Sequence, residues 1–326
     1  MTRKCILVTG SDGLIGTAVC NALAAGGFVA RGFDLNHTDR RHGDIRDAEG
    51  LRAAMRGCAG VIHLAAVSRV LWGQRDPEAC RDTNVIGTQK VVETALQSAA
   101  SPWLIFGSSR EVYGQCPEQP VVESAPLRPM NTYARSKVAA EAIVQQATGQ
   151  GLRGAILRFS TVYGDPRDHA DRVIPAFCRA ALAGRPLSVE GRDNSLDITH
   201  VSDVARAIVT AANRLEQGAT LPPLHLTTGH ATRLEDLARR IIRLAGSDSP
   251  VLFAPHRRFD VSTFAGDPAQ AVTHLDWAPR MPLDTGLSLL IAQLRAAGAE
   301  SLDANAKCAP WHRWCRPGSS AQAAPS

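Results

Sequence analysis

The stretch "KCILVTGSDGLIG", residues 4–16, combines a short apolar run with three closely spaced glycines. An apolar run of this length predicts a buried parallel strand, and the amphipathic stretch 14–25 that follows predicts a helix. The glycines at 10, 13 and 16 let the backbone turn, approach a pyrophosphate and pack the helix closely on the strand. The stretch therefore predicts a dinucleotide-binding turn, with phosphates held at the N-terminus of the helix.

The next strand, predicted for "FVARGFD" (28–34), ends in Asp34. A carboxylate at this spacing is expected to accept hydrogen bonds from the adenosine ribose hydroxyls. Because a 2′-phosphate would face that carboxylate, Asp34 favours NAD over NADP. Arg40 and Arg41 lie close behind and leave NADP open as an alternative. A phosphate-binding loop of the GK[ST] type is excluded, because no such residues follow the glycines.

Strand and helix patterns continue to alternate along the first half of the chain. Strands are predicted at 59–66, 103–109 and 152–159, and helices at 76–99 and 130–148. This alternation predicts an α/β fold with a Rossmann-type, doubly wound parallel sheet, which binds ligands beyond the carboxyl ends of its strands.

The second half follows a looser, mostly helical pattern. Helices are predicted at 171–186, 201–215, 233–246 and 285–298, with a short strand at "LSVEG" (187–191). We expect an NAD-binding domain over 1–165. In one version of this prediction, part of the second half also contributes to the core of that domain. A smaller substrate-binding domain is expected over 166–300 and a disordered tail over 301–326.

Composition excludes several classes of protein. The 326 residues are 44% hydrophobic and 21% charged, with a formal charge of +5 and no block of like charges, so no nucleic-acid partner is predicted. No apolar run approaches the ~20 residues of a membrane span, so no membrane partner is predicted either. Eight scattered cysteines and no signal-peptide pattern predict a reduced, cytoplasmic protein. The tail motif "CAPWHRWC" (308–315) offers three metal ligands without a fourth, so no metal site is predicted.

"YARSK" (133–137) places a phenol and an ammonium one helical turn apart. A phenol with a pKa near ~10 is a poor base at neutral pH, and a neighbouring ammonium lowers that pKa. Over a nicotinamide, such a tyrosine takes the proton of a sugar hydroxyl while hydride leaves the same carbon. The serine pair in "GSSREVYG" (107–114) is expected to orient that hydroxyl by hydrogen bonding.

The motifs together resemble those of the extended short-chain dehydrogenases/reductases, and within them the nucleotide-sugar epimerases and dehydratases. The resemblance covers about residues 4–300 and rests on "TGSDGLIG", "GDIRD", "HLAA", "DTNVIGT", "SSREVYG", "YARSK", "LRFSTVYG", "RVIPAF" and "DITHVSDVA", in the family's order. It implies a Rossmann domain, a smaller C-terminal domain that clamps a nucleoside-diphosphate sugar, a tightly held NAD and frequently a homodimer.

By matching motif, the resemblance implies that Tyr133 is the base and that Lys137 holds both Tyr133 and the nicotinamide ribose. Ser109 matches the residue that contacts the oxidised carbinol, normally at sugar C4. The implied cofactor contacts are these residues: Gly10, Asp12, Gly13, Leu14, Ile15, Gly16, Asp34, Asp44, Ile45, Leu64, Ala65, Ala66, Asn84, Ser108, Tyr133, Lys137 and Phe159. The substrate contacts suggested by the motifs are Ser68, Ser109, Arg110, Thr161, Arg172, Arg192 and His200. Thr83 and Asn84 have an alternative interpretation as helix-surface residues, and His200 as a packed histidine.

The reaction depends on the residues after Ser109. In dTDP-glucose-type dehydratases an Asp-Glu pair follows the hydroxyl residue, whereas Arg110-Glu111 follows here, and arginine cannot act as a general acid. The favoured interpretation is therefore NAD-dependent C4 epimerisation of a nucleotide sugar through a transient keto-sugar. A dehydratase or decarboxylase that uses Glu111 is the alternative, and Glu111 paired with an arginine is the competing interpretation of that residue. A non-catalytic NAD-sensing regulator is the alternative from another class.

Two positions depart from the family pattern around the substrate phosphates. Thr161 replaces the asparagine of the "NVYG" motif, and Leu196 replaces an arginine. Arg192, Arg172 or Arg69 are the candidates to compensate for these two losses.

Overall fold

The computed structural model describes residues 3–298, and its largest element is a parallel sheet of six strands in the order β2-β1-β3-β4-β5-β9. Antiparallel β10 joins β8 and β6 in a three-stranded sheet, and β11 pairs with β7. The strands are β1 (Cys5–Thr9), β2 (Val29–Phe33), β3 (Cys58–His63), β4 (Trp103–Ser109), β5 (Gly154–Phe159), β6 (Thr161–Tyr163), β7 (Leu187–Glu190), β8 (Ser195–His200), β9 (Leu224–Leu226), β10 (Ala231–Arg233) and β11 (Val251–Ala254).

The α-helices are α1 (Leu14–Ala25), α2 (Ala48–Met55), α3 (Val70–Arg75), α4 (Pro77–Arg81), α5 (Thr88–Gln97), α6 (Thr132–Gly149), α7 (Val173–Leu182), α8 (Val201–Glu216), α9 (Leu234–Ala245), α10 (Ala269–Leu275) and α11 (Leu283–Ala296). A π-helical turn, Asp82–Gly87, joins α4 to α5, and a 3-10 turn, Arg110–Tyr113, follows β4. No helix among residues 3–298 is both long and apolar enough to cross a membrane.

Both faces of the large sheet are covered by helices, which confirms the predicted doubly wound fold. Helices α1 and α8 pack on one face, where Val19, Leu23, Val204 and Ile208 are fully buried. Helices α2, α5 and α6 pack on the other face through an apolar stripe that includes Met55, Val91 and Val144. Because both faces are buried, the strands are apolar almost throughout, as the first strand of the sequence indicated.

Chain from the second half returns to the large sheet. Helix α8 packs on it, and β9 extends it beside β5. The rest of the second half forms a separate core around α7, α9 and α11 with the strands β7 and β8.

The structure corrects several element predictions. The predicted helix 76–99 is interrupted by the π-helical turn, and the strand predicted at 59–66 ends at His63. Sequence patterns did not indicate β6, and in the second half they indicated β7 but not β8, β9, β10 or β11, because most of these strands are only three or four residues long. Helices α2, α3 and α10 were also not predicted. The tail predicted over 301–326 lies outside the described residues.

Candidate active site

The glycine turn between β1 and α1 is shaped to receive a dinucleotide. Gly10 has φ +71°, and a Cβ on it would lie 2.6 Å from the backbone nitrogen of Ala65. A Cβ on Gly16 would lie 2.0 Å from the carbonyl oxygen of Gly10. Gly13 begins α1 without a side-chain cap, so the first N–H groups of α1, beginning with Leu14 and Ile15, stay available to an anion.

Asp34 lies at the end of β2 beside this turn. Its carboxylate accepts hydrogen bonds from the backbone N–H groups of Asp12 at 3.0 Å and Asn36 at 2.9 Å. Arg41, the candidate for a 2′-phosphate, instead pairs with Asp39 through contacts of 2.8 to 3.1 Å. The glycine turn and Asp34 therefore fit NAD, and the Arg41 guanidinium is already occupied.

The residues expected around the adenine and ribose follow β2 and β3. Asp44 is paired with Arg46 at 2.6 Å, and buried Ile45 packs so closely on Gly87 that a Cβ there would lie 2.5 Å from it. Leu64 donates its N–H to the Thr9 carbonyl at 3.1 Å, which directs the partly buried Ala65 and Ala66 towards the glycine turn. Phe159 ends β5, with its ring packed on Gly107 of β4.

Asn84 lies in the π-helical turn and is 2% exposed, so the interpretation as a helix-surface residue is wrong, as it is for Thr83 at 1%. Its side-chain oxygen accepts the N–H of Val67 at 2.7 Å, and its amide group donates to the Val67 carbonyl and to Ser136 at 2.8 Å. Asn84 thus ties the loop after β3 to helix α6. Contact with the cofactor remains a prediction for this residue.

The predicted catalytic residues come together at the carboxyl end of β4. Asn131 caps α6 by accepting the N–H of Ala134 at 2.8 Å, which places Tyr133 in the first turn of the helix. The Ser109 side chain lies near the Tyr133 hydroxyl. Burial raises the pKa of Tyr133 to about 12, while the Ser109 side chain and the charge of Arg172 act to lower it.

Lys137 lies one turn further along α6 and is 4% exposed. Its Nζ donates to the Gly107 carbonyl at 2.7 Å and lies 6.0 Å from the centre of the Tyr133 ring. Burial lowers the pKa of Lys137 to about 8. The ammonium is thus fixed between β4 and the phenol.

Ser108 and Ser109 point in opposite directions, as successive strand residues do. The Ser108 hydroxyl donates to the Glu141 carboxylate of α6 at 2.5 Å, two helical turns along from Tyr133. Its side chain is therefore engaged within the protein, and contact of Ser108 with the cofactor remains a prediction.

Glu111 follows Ser109 in the 3-10 turn and is held on both oxygens. Arg110 contacts one oxygen at 3.1 Å, and the Asn131 side chain donates to the other at 3.0 Å. These contacts match the competing interpretation, in which Glu111 is a strand-end carboxylate paired with an arginine. Within the described residues, Nη1 of Arg110 has no hydrogen-bond partner, and the guanidinium lies 5.7 Å from the ring centre of Phe264.

Arg172, at the start of α7, lies beside the catalytic phenol. Among residues 3–298 its guanidinium makes only long contacts, 3.4 Å to the Ser68 hydroxyl and 3.5 Å to Asp168. Arg69 pairs with Asp171 at 2.8 Å, and burial lowers its pKa to about 10, with further lowering by the charges of Arg172 and Arg257. Arg257 was missed from sequence, since it lies in an irregular loop outside the recognised motifs.

The remaining substrate candidates lie in the second half. Arg192 pairs with Glu235 at 2.6 Å and stacks over Phe253, and its side chain is 58% exposed. No hydrogen bond or ion pair of the described residues joins it to Tyr133, Ser109 or Arg172. His200 packs edge-on against Tyr163 and hydrogen-bonds Ser202 at 2.7 Å, which matches the packed alternative. Thr161 pairs with Ile198 between β6 and β8.

This arrangement, a glycine turn beside a Ser–Tyr–Lys group at the carboxyl ends of parallel strands, defines a dinucleotide-dependent enzyme of the short-chain dehydrogenase/reductase type. The chain belongs to the NAD dependent epimerase/dehydratase family, whose model matches residues 6–222. The family's NAD fits the turn and the carboxylate described above.

Individual relatives agree with this assignment. The chain is 31% identical to UDP-glucose 4-epimerase of Streptomyces lividans over 303 residues, 84% of this chain and 91% of the relative. It is 29% identical to dTDP-glucose 4,6-dehydratase of Streptomyces griseus over 290 residues, 88% of this chain and 85% of the relative. Its fold matches the crystal structure of Thermus thermophilus UDP-glucose 4-epimerase in complex with NAD, at a TM-score of 0.81 and 28% identity, covering 90% and 99% of the two chains.

Proposed function

We propose that the protein interconverts the C4 epimers of a nucleotide sugar through a transient 4-keto-sugar. The observation that carries this proposal is the Ser109–Tyr133–Lys137 group at the end of β4, next to the glycine turn. UDP-glucose is the first substrate to test, because UDP-glucose 4-epimerases are prominent among the relatives.

Tyr133 takes the proton of the sugar 4-hydroxyl, while Ser109 holds that hydroxyl by a hydrogen bond. NAD, which the glycine turn and Asp34 would hold, would supply the hydride acceptor for C4 and the hydride donor for reduction of the opposite face of the keto-sugar. Tyr133 then gives its proton back to the C4 oxygen, so no net acid or base is consumed.

The charge around Tyr133 favours its role as a base. Burial opposes ionisation of the phenol, and the pKa of Tyr133 is raised to about 12 although the neighbouring Ser109 side chain and the charge of Arg172 act to lower it. The Lys137 ammonium, 6.0 Å from the centre of the Tyr133 ring, is a further positive charge that favours the phenolate. Substrate turnover is therefore expected to rise with pH as Tyr133 ionises.

The contacts of Glu111 support epimerisation over dehydration. A base at C5 needs a free carboxylate oxygen, whereas both oxygens of Glu111 are engaged by Arg110 and Asn131. Because the chain is also similar to a dTDP-glucose 4,6-dehydratase of Streptomyces griseus, dehydration is the alternative that the experiment must exclude.

Product analysis tests the proposal directly. The protein is incubated in deuterated water with NAD and UDP-glucose, then with a panel of UDP-, dTDP-, GDP- and CDP-sugars, and products are followed by NMR and mass spectrometry. An isomer of unchanged mass without solvent deuterium is expected. Loss of water or carbon dioxide, or deuterium uptake next to the ketone, would instead assign the chemistry to Glu111.

Two tyrosine variants test whether the reaction takes place at this site. Tyr133→Phe is expected to lower kcat by about 10²–10⁴-fold, the usual contribution of general acid–base catalysis. Tyr163→Phe is the matched control, because Tyr163 is also buried but contacts the Leu283 carbonyl in the second half. If no sugar reacts with either the native protein or the control, the regulator alternative is favoured.

Three finer features belong to the same proposal. Residues 166–300, apart from α8 and β9, act as the substrate-binding part. The protein is a homodimer that pairs through α5 and α6, where Leu96 is 42% exposed, and light scattering tests this. A cytoplasmic location is supported by the six free cysteines among residues 3–298 and is tested by cell fractionation.

A further inference from the structure

A buried ion pair lies next to the catalytic residues, where α6 packs on β4 and β5. Arg158 of β5 donates from Nε and Nη2 to the two carboxylate oxygens of Glu141 of α6, at 2.9 and 2.7 Å. The side chains are only 4% and 1% exposed. Neither residue belongs to the reacting group described above.

Every hydrogen-bonding group of this pair is engaged. Ser108 donates to Glu141, and Nη1 of Arg158 donates to the Tyr113 hydroxyl at 2.6 Å and the Glu123 carbonyl at 2.8 Å. Because the Tyr113 oxygen accepts from Arg158, its own hydrogen is free to donate to Nε2 of His225 at 2.6 Å. His225 then carries its hydrogen on Nδ1, facing the Asp267 carbonyl, and burial lowers its pKa to about 4.

The ends of this network attach to the segments that carry the catalytic side chains. Ser108 immediately precedes Ser109, and Glu141 lies one turn beyond Lys137 on α6. Helix α6 thus contacts the end of β4 at two successive residues, through Lys137 to the Gly107 carbonyl and through Glu141 to Ser108. Tyr113 closes the 3-10 turn that holds Glu111.

Stability does not account for such a network. Enclosing two charges costs desolvation, and well-packed apolar side chains of similar size commonly stabilise a fold as well or better. Directional hydrogen bonds among fully satisfied partners fix the position and rotation of the elements that carry them, which apolar packing cannot do.

We propose that Ser108, Glu141 and Arg158 are positioning residues that set the distance between the Ser109 and Tyr133 hydroxyls. The network clamps α6 against β4 one turn beyond Lys137, so that the two hydroxyls meet when substrate is bound. This inference rests on the proposed epimerase function, because its main readout is turnover.

Ser108→Ala is the sharpest test, since it removes one hydroxyl and changes no charge. A displacement of about 1 Å can cost about 100-fold in rate, and the sheet still holds β4, so kcat is expected to fall about tenfold with KM unchanged. The rising limb of the kcat–pH profile is expected to shift to higher pH, because a displaced Ser109 stabilises the Tyr133 phenolate less. Ser249→Ala is the control, as Ser249 is also buried and bonds Ser247 at 2.8 Å far along the chain.

A second variant separates positioning from stability. Replacement of the whole pair in Glu141→Met/Arg158→Met is expected to keep a folded protein while kcat stays reduced. Hydrogen–deuterium exchange at residues 107–113 and 132–141 is expected to increase in both variants and supplies a readout that does not need a substrate.

The outcomes are distinguishable. An unchanged kcat and pH profile in Ser108→Ala, at reduced melting temperature, would overturn the positioning role and leave the pair a structural element. Equal losses in Ser249→Ala would overturn it as well. If the native protein converts no sugar, the proposed function is wrong, but the positioning inference can still be tested. Unchanged hydrogen–deuterium exchange in both variants would then overturn the positioning inference.

Discussion

Two ion pairs, one in each half of the molecule, are held in different ways. Beside the site, Glu141 and Arg158 are enclosed at 1% and 4% exposure, with all their hydrogen-bonding groups engaged. In the second half, Arg240 and Asp284 pair at 2.8 Å with 39% and 45% of their side chains exposed. Exposed pairs typically contribute only ~0–1 kcal/mol, because water and salt screen them. The contrast indicates that the enclosed pair determines geometry, whereas the exposed pair mainly solvates the surface.

The largest expected effect comes from the enclosed pair. Arg158→Met leaves Glu141 as a buried unpaired charge, which is expected to lower the free energy of unfolding by about 3–5 kcal/mol. The double variant with Glu141→Met is expected to recover much of that loss, since the unpaired charge is gone. Urea unfolding of both proteins measures the difference, and Arg240→Met is the matched control in the second half. Similar losses for Arg158→Met and Arg240→Met would remove the contrast between the two pairs.

The glycine turn gives the next largest effect. Gly16→Ala places a methyl group 2.0 Å from the Gly10 carbonyl oxygen, so the turn must open and its N–H groups move. NAD affinity is expected to fall at least about tenfold, or about 1.4 kcal/mol, in a fluorescence titration.

Gly149→Ala is the control for this substitution, because no atom lies within 4 Å of its added Cβ. An alanine near the end of α6 is expected to leave NAD affinity unchanged. Unaltered affinity in Gly16→Ala would show that the close packing of α1 on the turn does not shape the cofactor site.

Sequence patterns predicted the part of the site that depends on local geometry. The glycine spacing predicted the turn, and the helical spacing of Tyr133 and Lys137 placed both on one face of α6. Strand β4 was predicted with its observed bounds, 103–109. These features depend on residues within a few positions of one another.

The features that escaped prediction depend on contacts between distant segments. The π-helical turn at Asn84 is set by hydrogen bonds to Val67 and Ser136, which helical periodicity cannot reveal. Strand β9 is three residues long and exists because β5 offers it an edge. Arg192 carried the expected charge, but its partner Glu235 lies 43 positions away, and no spacing rule indicates that pair.

Arg172 offers a smaller, more specific test on the catalytic side. Arg172→Gln removes a positive charge that lowers the pKa of Tyr133, so the phenol is expected to ionise at higher pH. Because Tyr133 acts as a base, the rising limb of the kcat–pH profile moves upward by up to about one pH unit. The melting temperature is measured alongside, since Asp168 loses its contact with Arg172. A profile that stays in place would contradict an electrostatic role for Arg172.

The smallest effect is expected for Arg192, another of the three arginines proposed from sequence to compensate for Thr161 and Leu196. Its guanidinium is paired with Glu235 and exposed on the second half, so Arg192→Gln is expected to leave KM, kcat and the pH profile unchanged. Steady-state kinetics with the sugar identified by product analysis measure all three, with Arg172→Gln as the matched variant. A rise in KM of tenfold or more, about 1.4 kcal/mol, would mean that Arg192 leaves Glu235 to hold the substrate phosphates. The charge of Arg192 in the second half would then also fix the position of a group, but only after the substrate has bound.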